Sequence, residues 1–228
     1  MNPRRHFATF LLLSLTVLMR FDLAGAGILL RTVALTGQSA PGTEAGVTFA
    51  NFDPPLLDAS GKTAFYAELA GPSIIVGENN ASVWSDVGGS LALVARGGDS
   101  PPGGGAGVRF NRFFDPIFNS TGQTAFDAQL SGTGLDTTND DGIWSDGGGP
   151  LALIAREGGQ APGTNPGIDF INFGHRLLLN NVGRAALKSD LIGPGVDVTN
   201  NVGIWSEGGG GLALIARAGD PPPVPAPA

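Results

Sequence analysis

The chain has 228 residues, a net charge of −7 and no cysteine. Without cysteine the fold rests on apolar burial alone, and disulfides, thiolate catalysis and cysteine-bound zinc are all excluded. The acidic balance, with only 13 Lys and Arg and no basic cluster, argues against a nucleic-acid partner, which is held by clustered cations that displace counterions.

The chain opens with Arg4 and Arg5, an apolar run from Phe7 to Met19, and the small residues Ala24-Gly25-Ala26. This is the pattern of a secretory signal peptide over residues 1–26, with cleavage expected after Ala26. The run is too short for a transmembrane span, which needs about 20 residues, so no membrane span is expected in the mature chain.

A β-repeat domain is expected from 27 to 220. Its marker is tryptophan: Trp144 lies 60 residues after Trp84, and Trp205 lies 61 after Trp144. The flanking text repeats with them as SVWSD, GIWSD and GIWSE, which identifies a long internal repeat. Units are drawn at about 36–96, 97–156 and 157–217. A spare strand at 29–35, chiefly Leu30 to Leu35, matches the fourth strand of a missing preceding unit.

Each unit holds four strand candidates in order. The first is a V-x-F segment: Val47 to Phe49, Val108 to Phe110, Ile168 to Phe170. The second alternates, with Phe126, Ala128 and Leu130 on one face and Ala125, Asp127 and Gln129 on the other, which is the period of a half-buried strand. The third carries the tryptophan. The fourth, Leu91 to Arg96, Leu151 to Arg156 and Leu212 to Arg217, follows a glycine-rich hairpin link such as Asp146 to Gly149.

The predicted fold is therefore all-β: tandem four-stranded antiparallel units of about 60 residues in a partial or open β-propeller-like array. A β-trefoil or β-prism is the alternative. The chain closes with the Pro-rich tail 221–228.

At Asn119, Gly122, Ala125 and Phe126 the second unit reads N-x-x-G-x-x-A-F, and the chain resembles the choice-of-anchor tandem-repeat proteins named for that motif. Unit one has Asp58, Gly61, Ala64 and Phe65; unit three has Asn180, Gly183, Ala186 and Leu187. The resemblance implies a bacterial exported protein, often held at the surface by a C-terminal sorting segment, with no established enzymatic activity. Pro221 to Ala228 has neither an apolar span nor a basic stop, so a released protein or a truncated reading frame is expected.

Chemistry has few candidates. After the leader, His175 is the single histidine, so a Ser-His-Asp arrangement or a histidine zinc site would have to be built around it. A surface or turn histidine is the plainer reading. Asp86, Asp146 and Glu207 are repeat-equivalent and precede glycines or a turn, and are read as turn formers. For a glycosidase-type carboxylate pair the better candidates break symmetry, namely Asp53, Asp115 and Asp127. Asp136, Asn139, Asp140 and Asp141 form an oxygen-rich loop that is weighed as a calcium site against a solvated Asx turn.

Arg96, Arg156 and Arg217 are expected to pair with acids of neighbouring units. The tryptophans, with Gly61, Gly122, Gly183, Asn119 and Asn180, are read as structural repeat positions, the indoles buried. Indoles exposed in a row would instead form a sugar-stacking platform. No catalytic residue and no cofactor is assigned. The expected function is a non-catalytic exported scaffold or binding module of the cell surface or matrix, with a polysaccharide or a surface protein as partner and a homodimer as one arrangement. An extracellular carbohydrate-active hydrolase of propeller type is the alternative.

Overall fold

The computed structural model describes residues 30–114, 116–147, 149–174 and 176–221. The expected signal peptide, Asp115, His175 and nearly all of the Pro-rich tail lie outside them. Among the described residues there are strands and turns, and no helix long and apolar enough to cross a membrane.

The chain is all-β, built as three similar antiparallel sheets. The first contains β1 (Thr48–Phe52), β2 (Leu56–Leu57), β3 (Thr63–Ala70), β4 (Ala81–Ser85) and β5 (Ala92–Arg96). The second contains β6 (Arg109–Phe113), β7 (Ile117–Phe118), β8 (Thr124–Ser131), β9 (Asp141–Ser145) and β10 (Ala152–Arg156). The third contains β11 (Asp169–Asn172), β12 (Leu177–Leu179), β13 (Ala185–Ile192), β14 (Val202–Ser206) and β15 (Ala213–Arg217). Four strands form each main path, β1-β3-β4-β5 and its two copies, as tandem repeats of an open or propeller-like kind with no closed barrel.

The fifth, short strand of each sheet was not legible in the sequence. β2, β7 and β12 pair with the far end of the long strand whose near end pairs with β1, β6 and β11. The edge strand is thus broken in two. In units one and two the break falls at Pro54-Pro55 and Pro116, residues that have no N–H to give to a ladder.

Two bulges recur at equivalent places. One skips Ala50, Asn111 and Ile171 on the edge strand; the other skips Val94, Ile154 and Ile215 on the fourth strand. A bulge turns a side chain that strict alternation would send the other way. Val94 and Ile154 accordingly pack on the core of the following unit.

Each sheet has a front face carrying its tryptophan and a back face. Phe126 and Leu130 share the front with Trp144, and Ala125, Asp127 and Ile143 share the back, as the register pairs Phe126 with Trp144 and Asp127 with Ile143. One core joins Val83 and Ala95 from the first back face to Phe110, Phe126 and Trp144. A second joins Ala125, Ile143 and Ala155 to Phe170, Leu187 and Trp205. Backs pack on fronts.

The backbone continues across the same junctions. Gly98 N–H donates to the carbonyl of Phe110 (2.7 Å), and Gly158 N–H to that of Phe170 (2.9 Å), so the end of each fourth strand starts the edge of the next sheet.

The expected spare strand is a correction. Residues 30–35 pair with no sheet. Val33 and Ala34 pack on the first core, at the places that Val94 and Ala95 fill on the second, but among the described residues they join no ladder. A strand without a ladder partner is only an extended segment.

Candidate functional site

All three indoles are fully buried, with no exposed surface. Each stands edge-on to a phenylalanine at 4.9 Å between ring centroids, Trp84 on Phe49, Trp144 on Phe110 and Trp205 on Phe170, the geometry favoured by the ring quadrupoles. Buried indole N–H groups need an acceptor. Trp144 finds the Pro102 carbonyl and Trp205 the Pro162 carbonyl, both at 2.9 Å, whereas Trp84 uses Ser82 Oγ at 2.8 Å. The residue two before the ring is small for a reason: a Cβ on Gly142 would lie 2.6 Å from the Trp144 ring, and one on Gly203 would meet Trp205 in the same way. A sugar-stacking row is not formed by these rings.

The acid after W-S ties the sheet together. Asp86 and Asp146 accept from Thr63 N–H and Thr124 N–H at 2.6 Å, and Glu207 accepts from Ala185 N–H at 2.8 Å. Each acid's own N–H donates back to the carbonyl of the same partner residue, at 3.0 to 3.1 Å. Burial raises the Asp146 carboxyl, and these N–H contacts oppose the shift.

The N-x-x-G motif is a turn in which the side chain mimics a backbone acceptor. Asn119 Oδ1 takes the N–H groups of Thr121 (3.1 Å) and Gln123 (2.9 Å), and Asn180 Oδ1 takes those of Val182 (3.0 Å) and Arg184 (2.9 Å). Asp58 does the same with Ser60 and Lys62, which explains the exchange of Asn for Asp there. Gly61, Gly122 and Gly183 sit at φ of 80°, 86° and 76°, a region that costs any residue with a Cβ. Neighbouring turns are joined: Asn119 Nδ2 donates to the Asn180 carbonyl at 2.7 Å.

The arginines depart from the expected acid pairing. Arg96, Arg156 and Arg217 each donate through Nε to a loop carbonyl, of Asn79, Asn139 and Asn200, at 2.7 to 3.1 Å. Arg156 adds the Gly104 carbonyl, and Arg96 alone of the three has an ion pair described, with Glu44 of the loop that leads into its own unit (2.7 Å). Carbonyls at the loop need donors, and the guanidinium fork supplies several at once.

The oxygen-rich loop turns inward. Asp136 Oδ1 accepts from Thr138 N–H (2.9 Å), and Asn139 Oδ1 from Asp136 N–H (2.9 Å), a pattern copied by Asp197, Thr199 and Asn200. Asp140 Oδ2 accepts from Gln129. Among the described residues no group of three or more His, Asp or Glu is placed to hold a metal ion.

Asp127, a symmetry-breaking candidate, is buried at 3% exposure. Near it, and missed in the sequence, is Glu157, 5% exposed, whose Oε2 accepts from Asp141 N–H at 3.3 Å. Burial, then the charges of Asp141, Asp140 and Asp127, push the Glu157 carboxyl up to about 8. The other units carry Tyr66, Ala81 and Gly97, or Lys188, Val202 and Ala218, at the places of Asp127, Asp141 and Glu157, so the acidic group belongs to unit two alone. Aligning units by function of the side chain, rather than by motif, would have found it. Glu157 keeps its proton at neutral pH, and within the group Asp127 and Glu157 are buried while Asp141 is half-buried.

Asp53 is exposed and lines a groove of about 500 Å³ with Tyr66, Glu68, Asn80, Asn111 and Arg112, between the first two sheets. Burial and the charges of Glu68 and Asp53 raise the Tyr66 phenol. The groove offers donors and acceptors, among them the carboxylates of Asp53 and Glu68, beside the rings of Tyr66 and Phe113.

No curated protein and no solved structure matches the chain. One family description matches it, over residues 21–159 and again over 145–226, which together span all three sheets. A repeated match is what a chain of repeated units gives. By that match the chain belongs to the family of unknown function DUF7453.

Proposed function

We propose that the protein is exported and works without catalysis, as a β-repeat scaffold or binding module at the cell surface or in the extracellular matrix. The observation that carries this reading is the employment of its most conspicuous side chains. Tryptophans, W-S-D acids, motif asparagines and strand-end arginines all serve packing or backbone hydrogen bonds within the repeat. What varies from unit to unit is the loops and the grooves beside them, such as Gly71 to Asn80 against Gly132 to Asp141. Recognition usually lies in such loops on a rigid frame.

The partner class is a polysaccharide or a surface protein, as the resemblance to anchored repeat proteins suggests, and the groove around Tyr66 and Arg112 offers polar contacts of that kind. Purified protein screened against diverse glycans should retain some without releasing reducing ends. Release would replace the scaffold with a hydrolase. N-terminal sequencing of protein recovered outside the cell should begin at Gly27.

A further inference from the structure

Among the described residues, the back face of the third sheet lacks the cover that the other two possess. In the second sheet, Ile117, Ile143 and Ile154 pack into the core of unit three, and Ile143 is 1% exposed. Their counterparts by register are Leu178, Ile204 and Ile215, exposed at 71%, 42% and 65%. Three large apolar side chains on one face, beside a cavity of about 490 Å³, form a surface of the type proteins bury against a partner.

The two internal junctions state what this face takes: the aromatic front of a unit of the same kind. The front of the first sheet is correspondingly incomplete. Phe52 is half-buried where Phe113 and Phe173 are 4% and 2% exposed, and Leu57 is 71% exposed where Phe118 and Leu179 are half-buried. The place of a preceding fourth strand is held by Val33 and Ala34, which have no ladder to keep them there.

We propose that two copies of this chain associate head to tail, the back of the third sheet of one docking on the front of the first sheet of the other. Ile215 and Ala216 of β15 take over the positions of Val33 and Ala34, as Ile154 and Ala155 occupy them at the internal junction. The contact is heterologous, so it grows into a closed ring or an open array according to the rotation per unit.

Light scattering of purified protein across a concentration series tests this, with tryptophan emission confirming burial of the indoles in each variant. The parent should rise to the mass of two chains or more. Leu178→Glu and Ile215→Glu, on the back face, and Leu57→Glu, on the front, should each hold the mass at one chain. Mixing Leu57→Glu with Ile215→Glu should restore association, limited to two chains, because one variant supplies an intact back and the other an intact front. A parent that stays at one chain overturns the proposal, as does association that survives both back-face substitutions. A mixture that stays monomeric also overturns it, as does association of Leu57→Glu alone, which points to a back-to-back contact.

Discussion

The indole N–H of Trp144 donates to the carbonyl of Pro102 at 2.9 Å, tying the third strand of unit two to the proline loop that precedes it in the chain. The same bond joins Trp205 to Pro162, but Trp84 bonds to Ser82, whose hydroxyl also donates to the Ala67 carbonyl at 2.7 Å. One side chain therefore closes both a packing layer and a loop.

Trp144→Ala should cost about 3–5 kcal/mol, the range for deleting a large buried ring. Trp144→Phe keeps most of the packing and leaves the Pro102 carbonyl without its donor, a loss of about 1–3 kcal/mol. Trp84→Phe should cost less than Trp144→Phe, because Ser82 retains its bond to Ala67. Urea unfolding of the three variants gives the order directly.

The motif glycines separate backbone strain from crowding. At Gly61 a Cβ meets open space, so Gly61→Ala should cost only the positive φ, about 1–2 kcal/mol. At Gly122 a Cβ runs into the Val87 side chain, and at Gly183 into the Gly147 carbonyl. Val87 can rotate and a backbone cannot. Thermal melts should rank Gly61→Ala least harmful, Gly122→Ala next and Gly183→Ala worst.

Asn119→Asp preserves the oxygen that caps its own turn, as Asp58 does in unit one, and removes the amide that reaches Asn180. That amide also donates to Gln123 Oε1, so the expected loss is about 1–3 kcal/mol, that of two hydrogen bonds. Asn119→Ala removes the cap as well and should cost more. If Asn119→Asp melts with the parent, the bond between the turns contributes nothing.

Glu157 makes stability depend on pH. Its folded carboxyl titrates near 8 against an ordinary value of 4.5, so between those limits the folded state binds more protons than the unfolded one. The contribution is complete below about 4.5 and is lost as pH rises through about 8. Glu157→Gln, neutral throughout, should match the parent at pH 4.5 and melt higher than it at pH 8.5. Equal pH profiles for parent and variant would refute the assignment.

Sequence periodicity alone carried the strand order, the repeat and the buried side of the long strands, because a strand alternates faces with period two whatever it packs against. The conspicuous residues were legible for the same reason: one environment recurring three times demands one side chain three times. Bulges and broken edge strands were hidden, since their signal is a single skipped residue. Arg156 was read as an ion-pair partner because sequence displays acids but not the carbonyls of a folded loop.

What the chain text determined by itself, then, is a three-fold β-repeat held by aromatic packing, for local pattern is sufficient to specify strands. The tertiary structure alone decided that backs stack on fronts and that Asp127, Asp141 and Glu157 converge. It also decided that Val33 and Ala34 stand where a strand would, and that Leu178, Ile204 and Ile215 on the third back face are exposed. These depend on which sheet lies against which, and the free energy of burying a face is set by its neighbour rather than by its own residues.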